Sequence, residues 1–146
     1  MLSTASSVAK SKSESPTNGG YLASRQLAMP RDANMHNDIF GGWIMSQMDL
    51  AAAIAAGRHS KSKVVTVAVD NLVFKQPVHV GDTVSCFTWI KSVGRTSMNV
   101  RVVVVAKEEL SGCDDRGKVR EVTEGVFTMV AVDGKGNKVR VPPLPP

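Results

Sequence analysis

Aromatic residues and cysteines are scarce in this sequence. Aromatic residues make up 5% of its 146 positions, which is few for the aromatic and basic surfaces that bind single-stranded nucleic acid. Its Lys and Arg residues are scattered rather than clustered. The two cysteines, Cys86 and Cys113, form no CxxC pair and no Cys/His cluster with zinc spacing. We therefore expect no nucleic-acid partner, no metal, and free thiols in a reducing, cytoplasmic compartment.

Signals for crossing a membrane are also missing. The first 20 residues are rich in Ser, Lys and Gly but lack the apolar core of a secretory signal. They are nearly free of acidic residues, as transit peptides are, but Glu14 and Pro16 argue against that interpretation. The most apolar stretch, Ile39–Gly57, is too short and too interrupted to span a bilayer. We predict that residues 1–20 are disordered and that the protein has no membrane partner.

What the sequence does contain suits one domain with a moderate core. Hydrophobic residues make up 42% and charged residues 21%, both ordinary for a globular protein. The net charge of +5 indicates an anionic partner. Because the basic residues form no cluster, a small phosphorylated ligand fits this charge at least as well as a nucleic acid.

The stretch from Asn34 to Gly57 organises the rest of the chain. Between Ile39 and Gly57 it carries a single charge, Asp49, among residues that favour a helix. Apolar side chains lie on two stripes of that helix, Phe40-Ile44-Met48-Ala51/Ala52 and Trp43-Gln47-Leu50-Ile54. A helix that is apolar nearly all round is a buried one. We expect Asn37 or Asp38 to cap its start and Gly57 to end it.

Two features of this helix indicate a functional site. Gly41 and Gly42 lie in its first turn, where backbone N–H groups have no helical partner and a ligand can approach closely. Asp49 lies about two turns further on, where a buried carboxylate has to be paired or functional. The sequence leaves two alternatives for Asp49, a structural carboxylate bonded to an N–H or a Lys/Arg, or a catalytic one. In the second, the carboxylate handles water while the glycine amides stabilise an oxyanion in the same cleft.

The rest of the chain alternates between strand patterns and turns. Strands are predicted at Tyr21–Met29, Lys63–Phe74, Thr83–Val93, Thr96–Ala106 and Lys118–Val132, with a basic linker at Arg58–Lys63 and an extended Pro-rich tail at 141–146. The order β-α-β-β-β-β predicts an α+β fold, a long curved antiparallel sheet wrapped around one central buried helix. Such a sheet has exposed edges, so we expect self-association.

These elements and their residues resemble the hotdog fold, and within it the YciA-type acyl-CoA thioester hydrolases. The matching segments are Met29–Asn34, Asp38–Asp49, Val64–Val69, Phe74–Val78, Val80–Asp82 and Val93–Ser97. The helix with its Asp and the Val-Gly-Arg-Thr-Ser turn are specific in combination. The resemblance implies one such domain over residues 21–140.

The resemblance also implies roles for individual residues. Asp49 matches the catalytic carboxylate, and Gly42 matches the helix-start residue whose N–H polarises the thioester carbonyl, with Gly41 beside it. Asn34 matches a loop residue that completes the site from the facing subunit. Arg95, Thr96 and Ser97 fall where the family contacts coenzyme A, and Lys75 is a further candidate for that contact. The family pattern implies a homo-oligomer, a trimer of dimers.

The residues themselves support thioester hydrolysis without a cofactor, with coenzyme A as part of the substrate. No GxSxG elbow occurs, so a serine triad is unsupported. Asp49 serves as general base or as nucleophile in this interpretation. Two alternatives stay open: a hydratase or dehydratase on acyl thioesters that uses His36, and a non-catalytic acyl-CoA-binding module.

Overall fold

The fold is one antiparallel sheet with a single long helix on it, seen in a computed structural model that describes residues 18–109 and 118–146. The elements are β1 (Tyr21–Leu27), a 3-10 turn (Pro30–Asp32), α1 (Gly41–Ser60), β2 (Lys63–Phe74), β3 (Asp82–Val93), β4 (Ser97–Glu108) and β5 (Val119–Val132). The strand order is β1-β3-β4-β5-β2, every pair is antiparallel, and α1 packs against all five strands. This is the predicted hotdog architecture.

The core lies between α1 and one face of the sheet. Met98, Val100, Val102 and Val104 of β4 are all 0% exposed, while Asn99 between them is exposed. The period-2 pattern therefore correctly predicted which side of β4 faces the helix. From the helix, Ile44 and Met48 and four alanines (Ala51, Ala52, Ala55 and Ala56) complete this core.

The helix is not buried all round, and here the sequence prediction is wrong for a single chain. Leu50 is 58% exposed, Phe40 52% and Ile54 41%. The sheet covers only one side of α1, so Leu50 and Ile54 of the second stripe and Phe40 at the helix start are left exposed within the chain, whereas Trp43 packs partly against the core. The exposed side chains lie ready to pack on another surface.

Both predicted ends of the helix are also wrong. The helix begins after Phe40, whose side chain makes no capping hydrogen bond, and Asn37 and Asp38 lie before it in the loop. At the other end Gly57 is helical, and Lys61, in the left-handed conformation with φ 56°, donates its N–H to the Gly57 carbonyl. The predicted basic linker is thus partly helix. Arg58 and His59 of this linker lie in the last turn of the helix, where a positive charge interacts favourably with the helix dipole.

The structure describes only part of the two predicted terminal segments. Residues 1–17 of the predicted disordered segment lie outside the described residues, and so does Cys113. At the border of that segment the Trp89 indole N–H donates to the Asn18 carbonyl at 3.2 Å. The tail at 141–146 has no regular secondary structure, but Val141 is buried. Within residues 18–109 and 118–146, no helix combines the length and hydropathy needed to cross a bilayer.

One edge of the sheet is exposed, as predicted. β2 is an edge strand, and its side chains are exposed or half-buried along its whole length. Val67 is 57% exposed, with Val65 and Val69 close to 40%. β2 adjoins α1 through the bond between Thr66 and Asp49, so two neighbouring elements both carry exposed apolar side chains.

Candidate active site

Asp49 is held by a hydrogen bond that the sequence did not indicate. The Thr66 hydroxyl on β2 donates to Asp49 Oδ1 at 2.5 Å. Asp49 is exposed in the single chain, so the expectation of a buried carboxylate is not met. Among the described residues no Lys, Arg or His forms a salt bridge with it. The structure therefore gives Asp49 a fixed orientation and an open side, rather than the buried ion pair of the structural alternative.

The start of α1 presents two backbone N–H groups. The amides of Trp43 and Ile44 donate to the Phe40 carbonyl, which begins the helix. Among the described residues, no backbone carbonyl accepts from Gly41 or Gly42. A Cβ on Gly42 would have no atom within 4 Å, and one on Gly41 would only touch the Phe74 ring at 3.6 Å. Packing within the chain does not require glycine here, so the open amides fit the close approach of a ligand.

Asn34 shapes the loop in front of the helix. Its side-chain Oδ1 accepts the N–H of His36 at 2.8 Å and that of Asp38 at 3.1 Å. Its own amide donates to the Asp38 carbonyl at 2.8 Å. The carboxamide oxygen is thus used to hold the turn, and the NH₂ group is not part of these bonds. His36, the alternative acid or base, is exposed in this turn.

Within one chain these residues do not meet at a single point. Asp49 follows Gly41 by eight residues and Gly42 by seven, a separation of about 10–12 Å along the helix axis. The hydrogen bonds of Asn34 fix it in the loop before the helix, while Asp49 bonds to Thr66. A reacting carbonyl has to lie about 3 Å from both its oxyanion donors and its attacking group. The single cleft expected from the sequence therefore does not form within one chain.

The predicted coenzyme A residues form one compact turn. The Gly94 amide donates to the Ser97 carbonyl at 2.8 Å, and the Ala131 amide donates to the Thr96 carbonyl at 2.9 Å. A Cβ on Gly94 would come within 2.8 Å of Ser97 Oγ, so the hydroxyl lies directly over the glycine. Arg95 at the tip is exposed. The structure thus brings Arg95, Thr96 and Ser97 together.

This turn and the helix start lie at opposite ends of the sheet. Ser97 pairs with Val130 of β5, whereas the Lys75 amide, just beyond β2, donates to the carbonyl of Val122. Eight residues of β5 separate these two points, about 26 Å of strand. Lys75 and Gly41 line the same shallow groove at the helix-start end.

Lys75 is already paired. Its Nζ lies 2.8 Å from a carboxylate oxygen of Glu121 and 2.8 Å from one of Glu124. The hydrogen bond to Glu121, followed by that to Glu124, raises the pKa of Lys75. The hydrogen bond from Lys75 lowers the pKa of Glu124 in turn. Two anionic neighbours weaken the attraction of this ammonium for a phosphate, so the geometry does not favour its predicted role in coenzyme A binding.

Thr66 is the site residue that the sequence interpretation missed. It is the one polar side chain in the run Val64-Val-Thr-Val-Ala-Val69, and that position was a usable signal. The described residues contain no group of three or more His, Cys, Asp or Glu side chains arranged to hold a metal.

Comparisons with known proteins agree with this architecture. A family model described as the thioesterase superfamily matches residues 36–113. The chain is 46% identical to an uncharacterised acyl-CoA thioester hydrolase of Haemophilus influenzae over 84% of this chain and 79% of that protein. It is 42% identical to the acyl-CoA thioester hydrolase YciA of Escherichia coli K12, over 84% and 92% of the two chains.

Solved structures give the same result. The hexameric thioesterase y2039 from Yersinia pestis superposes with a TM-score of 0.80 at 44% identity, covering 85% of this chain and 98% of that one. HI0827, a hexameric broad-specificity acyl-coenzyme A thioesterase, superposes with a TM-score of 0.79 at 44% identity, covering 88% and 86%. With this identity over most of its length and a hotdog core, the chain belongs to the thioesterase superfamily, among the YciA-type acyl-CoA thioester hydrolases.

Proposed function

We propose that this protein hydrolyses acyl-CoA thioesters to a free carboxylic acid and coenzyme A. The observation that carries the proposal is Asp49, an exposed carboxylate that Thr66 orients on the face of α1 beside the free edge strand. The named activity of the relatives supports it. A module that only binds acyl-CoA would have no use for an oriented, accessible carboxylate on an otherwise apolar face.

Each site is shared between two copies of the chain. Antiparallel pairing of β2 with β2 of a second copy extends the sheet and covers the exposed valines of this edge. A two-fold axis there reverses the second copy. Its helix start then lies at the end of the sheet that carries this chain's Arg95 turn. In this arrangement Gly42 and Asn34 of one copy approach Asp49 of the other, which removes the 10–12 Å separation within one chain.

The reaction then has its required parts. The carbonyl oxygen accepts hydrogen bonds from the Gly41 and Gly42 amides, which stabilise the developing oxyanion. In the general-base route, Asp49 takes a proton from a water that attacks the carbonyl carbon. The C–S bond then breaks and coenzyme A leaves as a thiolate that is protonated. In the nucleophilic route, Asp49 attacks the carbonyl carbon and the C–S bond breaks, which releases the coenzyme A thiolate. Water then hydrolyses the resulting mixed anhydride to the free acid and restores Asp49.

Assembly and setting complete the proposal. The hexameric thioesterases that superpose on this chain support a hexamer made of three two-fold dimers. The chemistry uses water and needs no cofactor, and a cytoplasmic location remains a prediction from the sequence.

The test is thiol release from a panel of acyl-CoAs, with the wild type compared with Asp49→Asn. Asn keeps an oxygen that can accept from Thr66 but cannot take a proton, so kcat falls about 10²–10⁴-fold. The melting temperature stays close to that of the wild type because Asn keeps the size of the side chain and an acceptor for the Thr66 hydroxyl. Glu109→Gln, the same carboxylate-to-amide change at another exposed position, is the matched control and keeps full turnover.

Two results would contradict the proposal. Near-normal turnover by a stable Asp49→Asn variant would remove Asp49 from the mechanism. A wild type that releases no thiol but changes the absorbance of an enoyl thioester would favour the hydratase alternative.

A further inference from the structure

The C-terminal tail is fastened at defined points. The Val141 amide donates to the Arg95 carbonyl at 2.8 Å, and the Val139 amide donates to the Ala131 carbonyl at 3.0 Å. The His59 ring Nε2 lies 2.8 Å from the Pro142 carbonyl. Val141 is 5% exposed and belongs to the hydrophobic core. These contacts fix the backbone on both sides of Arg140, so its side chain leaves the tail from a set position.

Arg140 shares a cleft with Arg95. This cleft, about 390 Å³, is lined by Val93, Gly94, Arg95, Arg140, Val141 and Pro143. One wall is the turn before β4 and the other is the tail, and each contributes one arginine. The two residues are 45 positions apart in the sequence, and the bond from Val141 to Arg95 brings their backbones together.

The two arginines of this cleft have no carboxylate partner in the described part of the chain. None of the salt bridges among residues 18–109 and 118–146 involves Arg95 or Arg140. The carbonyls of Arg95, Thr96 and Ser97 all accept hydrogen bonds, whereas no backbone carbonyl of the described residues accepts from the amides of Arg95 or Thr96. Two guanidinium groups beside a turn whose amides are open form a setting for a phosphate oxyanion. Lys75, by contrast, has two carboxylate partners.

We propose that Arg140 is a substrate-binding residue that, together with Arg95, holds a phosphate group of coenzyme A, so that the tail forms one wall of the nucleotide-binding site. The proposal rests on the proposed acyl-CoA hydrolysis and extends it to a residue outside the turn. The phosphates of coenzyme A are separated from the thioester by the pantetheine arm. The clamp therefore contributes binding energy equally to the bound substrate and the transition state, which is uniform binding.

The experiment compares Arg140→Ala with the wild type on two substrates that carry the same acyl group. One is an acyl-CoA that the wild type hydrolyses, and the other is the matching acyl-pantetheine, which lacks every phosphate. For the acyl-CoA, KM rises about ten- to a hundredfold, the range for losing hydrogen bonds to a charged group, while kcat stays near the wild-type value. For the acyl-pantetheine, neither constant changes. Arg140→Lys recovers part of the lost affinity, because it restores the positive charge but not the planar guanidinium that can donate two parallel hydrogen bonds to a phosphate.

Lys135→Ala is the control, since it removes one positive charge from the exposed hairpin turn that precedes the tail. The proposal is overturned if Arg140→Ala matches Lys135→Ala on the acyl-CoA, or if it impairs the acyl-pantetheine to the same degree. Calorimetric titration with coenzyme A alone keeps this test separate from that of the hydrolysis. If the wild type hydrolyses nothing but binds coenzyme A, a weaker affinity in Arg140→Ala still supports the clamp. If the wild type does not bind coenzyme A, the clamp is wrong as well.

Discussion

The shared site predicts that two inactive variants restore each other's activity. Asp49→Asn removes the base. Asn34→Asp removes the NH₂ group, which the turn does not use and which we propose faces the shared site, while keeping an oxygen for the His36 and Asp38 amides that hold the turn. We expect kcat of each variant, assembled by itself, to fall about 10²-fold or more below that of the wild type. Both substitutions keep the size of the side chain, so the fold and the pairing of subunits are preserved.

The expected recovery follows from the geometry. If each site takes Asp49 from one copy and Asn34 from the other, a mixed dimer has one site with both substitutions and one site with neither. Equal amounts of the two chains, mixed at random, give mixed dimers as about half of all dimers. The pool therefore regains about one quarter of the wild-type activity. Grouping such dimers into hexamers does not change this fraction.

The assay is thiol release after the two variants are unfolded together in urea and refolded as a 1:1 pool. Pools of each single variant, treated in the same way, are the controls. A pool that stays at the average of the two variants would refute a site made by two subunits. Catalysis would then require a rearrangement that closes the gap of about 10–12 Å between Asp49 and the helix-start glycines of the same chain.

Two further predictions concern the core. The Thr123 hydroxyl is buried and finds no hydrogen-bond partner among the described residues. We therefore expect Thr123→Val, of nearly equal size, to raise the free energy of unfolding by about 1 kcal/mol in urea denaturation. A loss of stability would mean that the hydroxyl has a partner in the assembly. Burial raises the pKa of the Cys86 thiol to about 11. In a Cys113→Ala background we therefore expect the native protein to resist iodoacetamide at pH 8.5 and to react only once urea unfolds it. Rapid labelling of the native protein would contradict this.

The strands could be predicted from the sequence because their signal is local. From Met98 to Val102 of β4 every second residue is apolar, and the same residues are fully buried. The helix ends could not be predicted in this way. Gly57 has the residue type of a helix terminus, yet the helix continues for three residues to Ser60 before Lys61 takes the left-handed conformation. A glycine permits that conformation but does not impose it, and here the chain turns where β2 has to begin.

The helix that carries the candidate site was recognisable because its unusual residues lie within one short segment. Asp49 and the glycine pair are visible as exceptions in an apolar run, and the Gly-Arg-Thr-Ser turn is a contiguous motif. The contacts that complete these groups are not contiguous. Thr66 reaches Asp49 from the next element, and Glu121 and Glu124 reach Lys75 from a strand more than 40 residues away. Sequence spacing therefore indicates candidate residues better than it indicates the residues that contact them.

The exposed apolar side chains of β2 and α1 are the reason that we place the site between two chains. A monomer could not keep β2 and the outer stripe of α1 in water without the risk of non-specific association, since both are apolar and adjoin each other. The element that needs a partner is also the element that carries Thr66, and Asp49 lies on the helix directly against it. In the proposed dimer, a second copy that covers this surface excludes water around the carboxylate and brings its helix-start amides to it. Assembly and catalysis then depend on one surface, so a substitution such as Val67→Asp, which introduces charge in the middle of β2, is expected to abolish activity and oligomer together without touching a reacting group.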